Sequence, residues 1–443
     1  MSSTSRHAFA SVCLISVVLA ACGGGDSDDT TDDLGPRPSD PTSNDPAYAV
    51  AGVHGWYAIG NAGTAGDDTL RLSVTAPAGV ETIAAWIDDR PGVLLARGAD
   101  RFARDLDLAD LGPGDHEVAL AADGADVAFA VATFRRTHPL YVVIATDWDF
   151  ADPSTGALNY QDTLHANHAD LKLTHFVGPY TFTDPAVDEA RRAELATWVQ
   201  TQAATFGDEI GLHIHPYCSF VEAAGVTCIT DQSTVYATDT SGYTINLSAY
   251  AEADVGKMLT KVDELFTAYD LPAPRTFRAG GWTAGAATLR ALDAHGYVAD
   301  SSALNWARME EWDGVGTGVL YDWNMANWSS IDDVSQPYYP TATDPQGTAA
   351  PALSMLEIPD NAIMVDYVNL AEMVEIFDAN WAGDVLTAPR TFVAGFHPAA
   401  GFSALEFGRV DDICAHADGL LAAHGDGPVV YATMSEVAAA FAD

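Results

Sequence analysis

The sequence predicts an α/β barrel preceded by a small all-β sandwich, and three observations carry that expectation. After Pro139, apolar runs alternate with helical periods across about 300 residues, the pattern of repeated βα units. Before it, from Ala47 to His138, about seven short runs read in period two between turn signals, with no convincing helix. The 443 residues are 48% hydrophobic and include 10 Trp, 16 Tyr and 17 Phe, enough to fill cores and to exclude a chain disordered throughout.

At the start of the chain, Arg6 precedes the apolar run Ala8–Ala21, too short to span a bilayer and of the kind a signal peptide carries. The run ends in Leu19-Ala20-Ala21-Cys22, ahead of three glycines. This resembles a bacterial lipoprotein lipobox. The resemblance implies loss of residues 1–21, lipidation of Cys22, and an exported chain held by lipid alone at the cell envelope, on the periplasmic or surface side of the outer membrane. Residues 22–46 are Gly, Asp, Ser, Thr and Pro with almost nothing apolar, and read as an acidic flexible tether. Across the chain 20 Lys and Arg face 62 Asp and Glu, a net charge of −42 that repels phosphate backbones and argues against a nucleic-acid partner.

Residues 47–138 follow with strand signals at Leu70–Val74, Phe102–Leu108, His116–Leu120 and Val127–Phe134, divided by turns such as Pro77-Ala78-Gly79 and Gly112-Pro113-Gly114. The stretch Leu106–His116 (LDLADLGPGDH) resembles a turn of bacterial immunoglobulin-like domains, which implies an immunoglobulin-like sandwich here. No catalytic grouping appears in it, and His54 and His116 read as structural.

Residues 139–443 form the barrel. Leu140–Ala145 is a continuous apolar strand of the kind buried on both faces, and Leu171–Val177, Glu209–Ile214, Arg275–Arg278, Tyr297–Ala299, Met355–Ile358, Thr391–Phe396 and Val429–Ala432 continue the series. Helical periods fall between them at Asp188–Phe206, Ala251–Tyr269, Ala286–His295, Leu370–Ala379 and Ala404–Ala423. In such folds active residues gather at the C-terminal ends of strands. Four polar clusters sit there: Asp147-Trp148-Asp149, His213-Ile214-His215-Pro216-Tyr217, Arg278-Ala279-Gly280-Gly281-Trp282 and His397-Pro398. In extended chain, residues two apart face the same way, so the two aspartates can share a space, as can His213 and His215. Two imidazoles and a carboxylate suit Zn²⁺ or a similar divalent ion with a position left for water or substrate, and free the other aspartate for acid–base work. Cys218 and Cys228 bracket a short loop and are placed to form a disulfide in an oxidising compartment; Cys414 is left over.

From Leu140 to the C-terminus these motifs resemble the NodB-homology polysaccharide deacetylases, carbohydrate esterase family 4, in a divergent His-x-His-Pro branch. Glu209–His213 is similar to the family's second motif, Phe277–Trp282 to its third, Asp300-Ser301-Ser302 to part of the fourth, and His397 stands at the histidine of the last. The resemblance implies a distorted (β/α)₇ barrel that removes acetyl groups from N- or O-acetylated carbohydrate with a divalent metal, Zn²⁺ foremost. It makes Asp147 the general base, Arg278 the holder of that base and His397 the general acid. Asp149 and His213 become metal ligands, joined by His215 because Tyr217 occupies the usual place of the second histidine. Where the family has tyrosine this chain has Gly281, whose N–H would serve the oxyanion, with Trp282 and Tyr217 lining the substrate site. Asp300 would tune the acid histidine. Two other readings share these residues: a metal-dependent amidohydrolase acting on a small C–N substrate, and a non-catalytic glycan-binding surface lipoprotein. The sequence is silent on oligomeric state.

Overall fold

The computed structural model describes residues 34–231, 239–310 and 319–442. The signal-peptide and lipidation expectations, including Cys22, lie outside the described residues. Among those residues no helix is long and apolar enough to cross a membrane.

The first unit is all-β. Its strands are β1 (Ala49–Ala51), β2 (Trp56–Ala58), β3 (Thr69–Thr75), β4 (Ile83–Ile87), β5 (Val93–Leu94), β6 (Ala96–Arg97), β7 (Phe102–Asp107), β8 (Gly114–Ala122) and β9 (Ala130–Thr137). They form one sheet in the order β1-β3-β7-β6 and another in the order β2-β9-β8-β4-β5. Alternation explains the shared core: Leu70, Leu72 and Val74 of β3 point inward while Arg71 faces out, and they meet Ile83 and Ile87 of β4 and Val118 and Leu120 of β8. β4 is buried on its second face too, because Leu34 packs against a cluster of Ala84, Trp86 and Ala121. The residues from 34 to 46, whose composition reads as tether, therefore lie along the sandwich. Ser39 pairs with the chain at Asp126 and Ala128 (3.0 and 2.9 Å), and Asn44 exchanges two hydrogen bonds with the backbone of Val131 (3.1 and 3.0 Å). Arg135 lies over the Trp56 ring (4.8 Å) and donates to the Gly383 carbonyl (3.2 Å), fixing this unit to the second.

The second unit is built on β10 (Leu140–Asp147), β11 (Leu173–Val177), β12 (Glu209–Ile214), β13 (Thr276–Ala279), β14 (Ala299–Asp300), β15 (Leu356–Glu357), β16 (Arg390–Phe396) and β17 (Val429–Tyr431). All pairs are parallel, in the order β15-β14-β13-β12-β11-β10-β16, with β17 against the start of β10. The sheet curls and helices cover its outside. Past β15 the chain runs on between the sheet's two edges: Asp360 N–H donates to Ala303 (2.9 Å), Ala362 to Val393 (2.9 Å) and Val365 to Gly395 (3.0 Å). β10 is buried throughout because each face has its own core, Leu140, Val142 and Ile144 on one and Tyr141, Val143 and Ala145 on the other.

That second face is the interior of the curl, and register decides what else points there. Asp147 pairs with Phe176, Phe176 with Gly211, and His213 with Arg278, so Asp147 of β10, His213 of β12 and Arg278 of β13 project to one side of four consecutive strands. Gly211 makes the room, since a side chain there would meet the Phe176 ring at 2.7 Å. The helix Thr155–Asn167, capped by the Ser154 side chain, was not among the expected helical periods. Its buried face carries Gln161 and His165 among Ala157, Leu158 and Leu164, which blurs the apolar period.

A candidate metal and acid–base centre

Asp149 lies two residues past the end of β10, and its carboxylate reaches the histidines at the end of β12. Its Oδ1 is 3.0 Å from Nε2 of His213 and 3.2 Å from Nε2 of His215. These three side chains form the one cluster of metal-ligating groups found among the described residues. The other ring nitrogen of each histidine settles which way the protons lie. Nδ1 of His213 is 2.9 Å from the Arg278 carbonyl, and Nδ1 of His215 is 2.9 Å from the Tyr243 carbonyl. Carbonyl oxygen only accepts, so both Nδ1 atoms donate, and in neutral rings both Nε2 atoms present lone pairs to a carboxylate that also only accepts. Nε2 of His215 is buried with no hydrogen bond. Three acceptors facing one another want a cation between them, and the spacing suits one, since ligands about 2.0–2.1 Å from a tetrahedral ion stand roughly 3.3 Å apart. His215 reaches its place only because position 280 is glycine: a side chain there would strike the imidazole at 2.4 Å.

On one flank stands Asp147, buried, its Oδ1 3.3 Å from the Arg278 guanidinium. Arg278 is itself fully buried and held from several directions. Its Nε donates to the Ser301 carbonyl and its second amino group to the Ser301 hydroxyl, both at 3.0 Å, and the first also lies 3.5 Å from Asp360. Burial pushes the Asp360 carboxyl up to about 6 against the pull of Arg278, and its Oδ2 accepts from the Trp282 indole at 2.9 Å.

On the other flank is His397, Nε2 3.6 Å from Asp149 Oδ1. Burial works against the charged imidazole, but Asp149 and then Asp366 outweigh it and carry His397 up to about 10. Burial would raise Asp149, but the charge on His397 outweighs it and holds the carboxyl well below the usual range. The expectation that Asp300 partners His397 is corrected here: Nδ1 of His397 donates to Asp366 Oδ2 at 2.6 Å. Register gives the reason. Met364 bridges Gly395, so the residues two further on, Asp366 and His397, come side by side. Asp300 instead sits on β14 opposite Glu357, accepts from the Ser302 hydroxyl (2.7 Å), and is raised by burial to about 6.

The remaining predicted residues gather around this centre. Gly281 adopts φ 58° and Trp282 φ 56°, a turn pinned by helix Val319–Trp328, whose Asn324 and Trp328 side chains donate to the carbonyls of Gly281 (2.9 Å) and Trp282 (2.8 Å). Trp282 is buried, with its indole N–H committed to Asp360. Tyr217 stacks on Tyr243 (5.3 Å) and lies 4.6 Å from the Tyr180 ring. Cys218 and Cys228 are joined in a disulfide beside it, and Cys414 is free and buried. Sequence reasoning missed Asp360, Asp366 and Tyr243. Each comes from a segment without regular periodicity, so nothing in the local pattern marks it.

No family model and no curated protein matches the chain. Partial structural similarity runs to a candidate polysaccharide deacetylase from Mycobacterium smegmatis, at 15% identity over 68% of this chain and 89% of that one, with a TM-score of 0.40. It also runs to a family 4 carbohydrate esterase from Streptomyces lividans in complex with acetate, at 10% identity over 68% and 95%, TM-score 0.34. A CE4-family pseudoenzyme from Bacillus anthracis gives 8% identity over 68% and 66%, TM-score 0.34. At identities and scores this low, similarity carries no weight on activity, and what the site does rests on its own residues.

Proposed function

We propose that this chain is a metal-dependent hydrolase that removes acetyl groups from an N- or O-acetylated carbohydrate. The observation that carries the reading is the meeting of Asp149, His213 and His215 with their lone pairs turned toward one another, flanked by an arginine-held carboxylate and a carboxylate-held imidazole. Plain glycan binding needs no such acid and base. The carbohydrate comes from the sequence resemblance described above, which also favours Zn²⁺ as the ion.

Asp149, His213 and His215 would hold the ion, which when bound supplies Lewis-acid polarisation of an acetyl carbonyl and a lowered pKa for water. Arg278 fixes the orientation of Asp147, so that Asp147 accepts the proton of the attacking water. His397 is held as the imidazolium by the charges of Asp149 and Asp366, so that it carries a proton on Nε2 beside the Nδ1 proton that Asp366 accepts, and delivers the Nε2 proton to the departing amine or alkoxide. The Gly281 N–H is offered to the developing oxyanion, and Trp282 and Tyr217 shape the acetyl end of the site. Elemental analysis of the purified protein, paired with acetate release from a panel of acetylated glycans, tests the reading; a protein that binds metal yet releases acetate from no glycan overturns it. Export and lipid anchoring through Cys22 belong to the same proposal. They rest on the lipobox resemblance, and intact-mass measurement of the membrane-extracted protein tests them.

A further inference from the structure

We propose that Tyr243 is a positioning residue that fixes two of the three ligands at once, a role that rests on the metal reading of the site. Its backbone carbonyl accepts Nδ1–H of His215 (2.9 Å), and its hydroxyl donates to Oδ2 of Asp149 (3.0 Å). The first contact sets the tautomer and ring plane of His215. The second occupies the outer carboxylate oxygen, so that Asp149 meets the imidazoles through Oδ1 alone. One residue thus supplies the surroundings that orient a histidine ligand and a carboxylate ligand together.

Local structure holds Tyr243 firmly in that posture. Its ring stacks on Tyr217 (5.3 Å), lies 4.4 Å from the His215 ring and 5.4 Å from Phe150. The preceding residue, Gly242, has φ 88° and approaches the Pro216 carbonyl so closely that a Cβ would stand 2.3 Å from it. Cys218 N–H donates to the Ser241 carbonyl (2.7 Å), and the sulfur of Cys228 lies against Gly242, so the disulfide braces the segment that delivers the tyrosine.

Tyr243→Phe tests this by removing the hydroxyl and keeping the ring. Titrating metal-free protein with Co²⁺ alone, we expect binding about 10–100-fold weaker than in the parent. We also expect a fainter visible Co²⁺ band, because the released second oxygen of Asp149 raises the coordination number. The melting temperature without metal should equal the parent's. Parent-like affinity and spectrum in the variant overturn the inference while leaving the metal reading intact. A lower metal-free melting temperature overturns it too, since the hydroxyl would then serve folding. A parent that takes up no Co²⁺ overturns the metal reading and this inference together.

Discussion

Among the described residues, the curled parallel sheet and its helices bring together two groupings of one aspartate with two histidines, and they are opposites. At the strand ends, Asp149 meets His213 and His215, whose Nδ1 protons are spent on carbonyls, so that only lone pairs face the carboxylate. Deeper in the fold, Oδ2 of Asp208 lies 2.9 Å from Nε2 of both His165 and His175. There Nδ1 of His175 faces the Thr146 hydroxyl (3.0 Å), which can donate, and Nδ1 of His165 has no hydrogen-bond partner among the described residues. Both Nε2 atoms are thereby free to carry protons to Asp208, while Leu173 N–H donates to the other oxygen (2.9 Å). The second grouping is complete with protons; the first calls for a cation. The same residue types become a ligand set or a structural clamp according to what stands behind the far nitrogen of each ring.

The largest expected effect separates the two outright. Asp149→Ala should reduce bound metal below detection by elemental analysis, and Asp208→Ala should leave it at the parent's level. A folded Asp208→Ala protein without metal would erase the distinction. Next in size is the flank of the first grouping: Asp147→Asn should keep the ion and lose about 10²–10⁴-fold in acetate release. Lost metal in that variant would make Asp147 a ligand rather than a base.

The clamp should show itself in stability instead. Asp208→Asn removes a buried acceptor shared by two imidazoles, at a cost of about 2–4 kcal/mol in urea unfolding near neutral pH. The pH dependence has a definite sign. Burial would raise Asp208, but the bonds from His165 and His175 hold it down at about 2, against an ordinary 3.8. Stability from that depressed value is complete above about pH 4 and is lost as pH falls toward 2, amounting to about 2 kcal/mol. The Asn variant should lack this part of the acid slope; an unchanged slope would mean that other carboxylates set it.

How much of this was legible in the sequence follows from where each residue sits. Asp147, Asp149, His213, His215, Arg278 and His397 all close apolar strands, so alternation and strand polarity were enough to bring them to one face. The clamp and the acid's partner were hidden by opposite causes. His165 and Gln161 are polar residues on a buried helix face, which weakens the very period that announces a helix. Asp366 follows a stretch that pairs with β16 through isolated bridges and turns, too irregular to read as a strand. Tyr243 arrives on a disulfide-braced excursion whose path depends on the close approach at Gly242. Local pattern reports strands that are continuous; contacts made by interrupted chain are set by tertiary register alone.

The smallest expected effect sharpens the account of the acid. His397 is raised by Asp149 and Asp366, and a general acid works only while protonated, so activity should decline as pH passes its pKa. Removing the Asp366 charge lowers that pKa, and Asp366→Asn should therefore move the alkaline limb of the rate profile to lower pH, with a loss of about tenfold at the optimum as the ring's orientation loosens. Asp300→Asn should leave the limb where the parent has it, because Asp300 answers to Ser302 and Glu357 across β14 and β15 and makes no contact with the imidazole. If the limb moved with Asp300 and stayed with Asp366, the carboxylate pairing drawn from the Met364–Gly395 register would be wrong, and the proton on Nε2 would have to be held by the field of the inner barrel carboxyls.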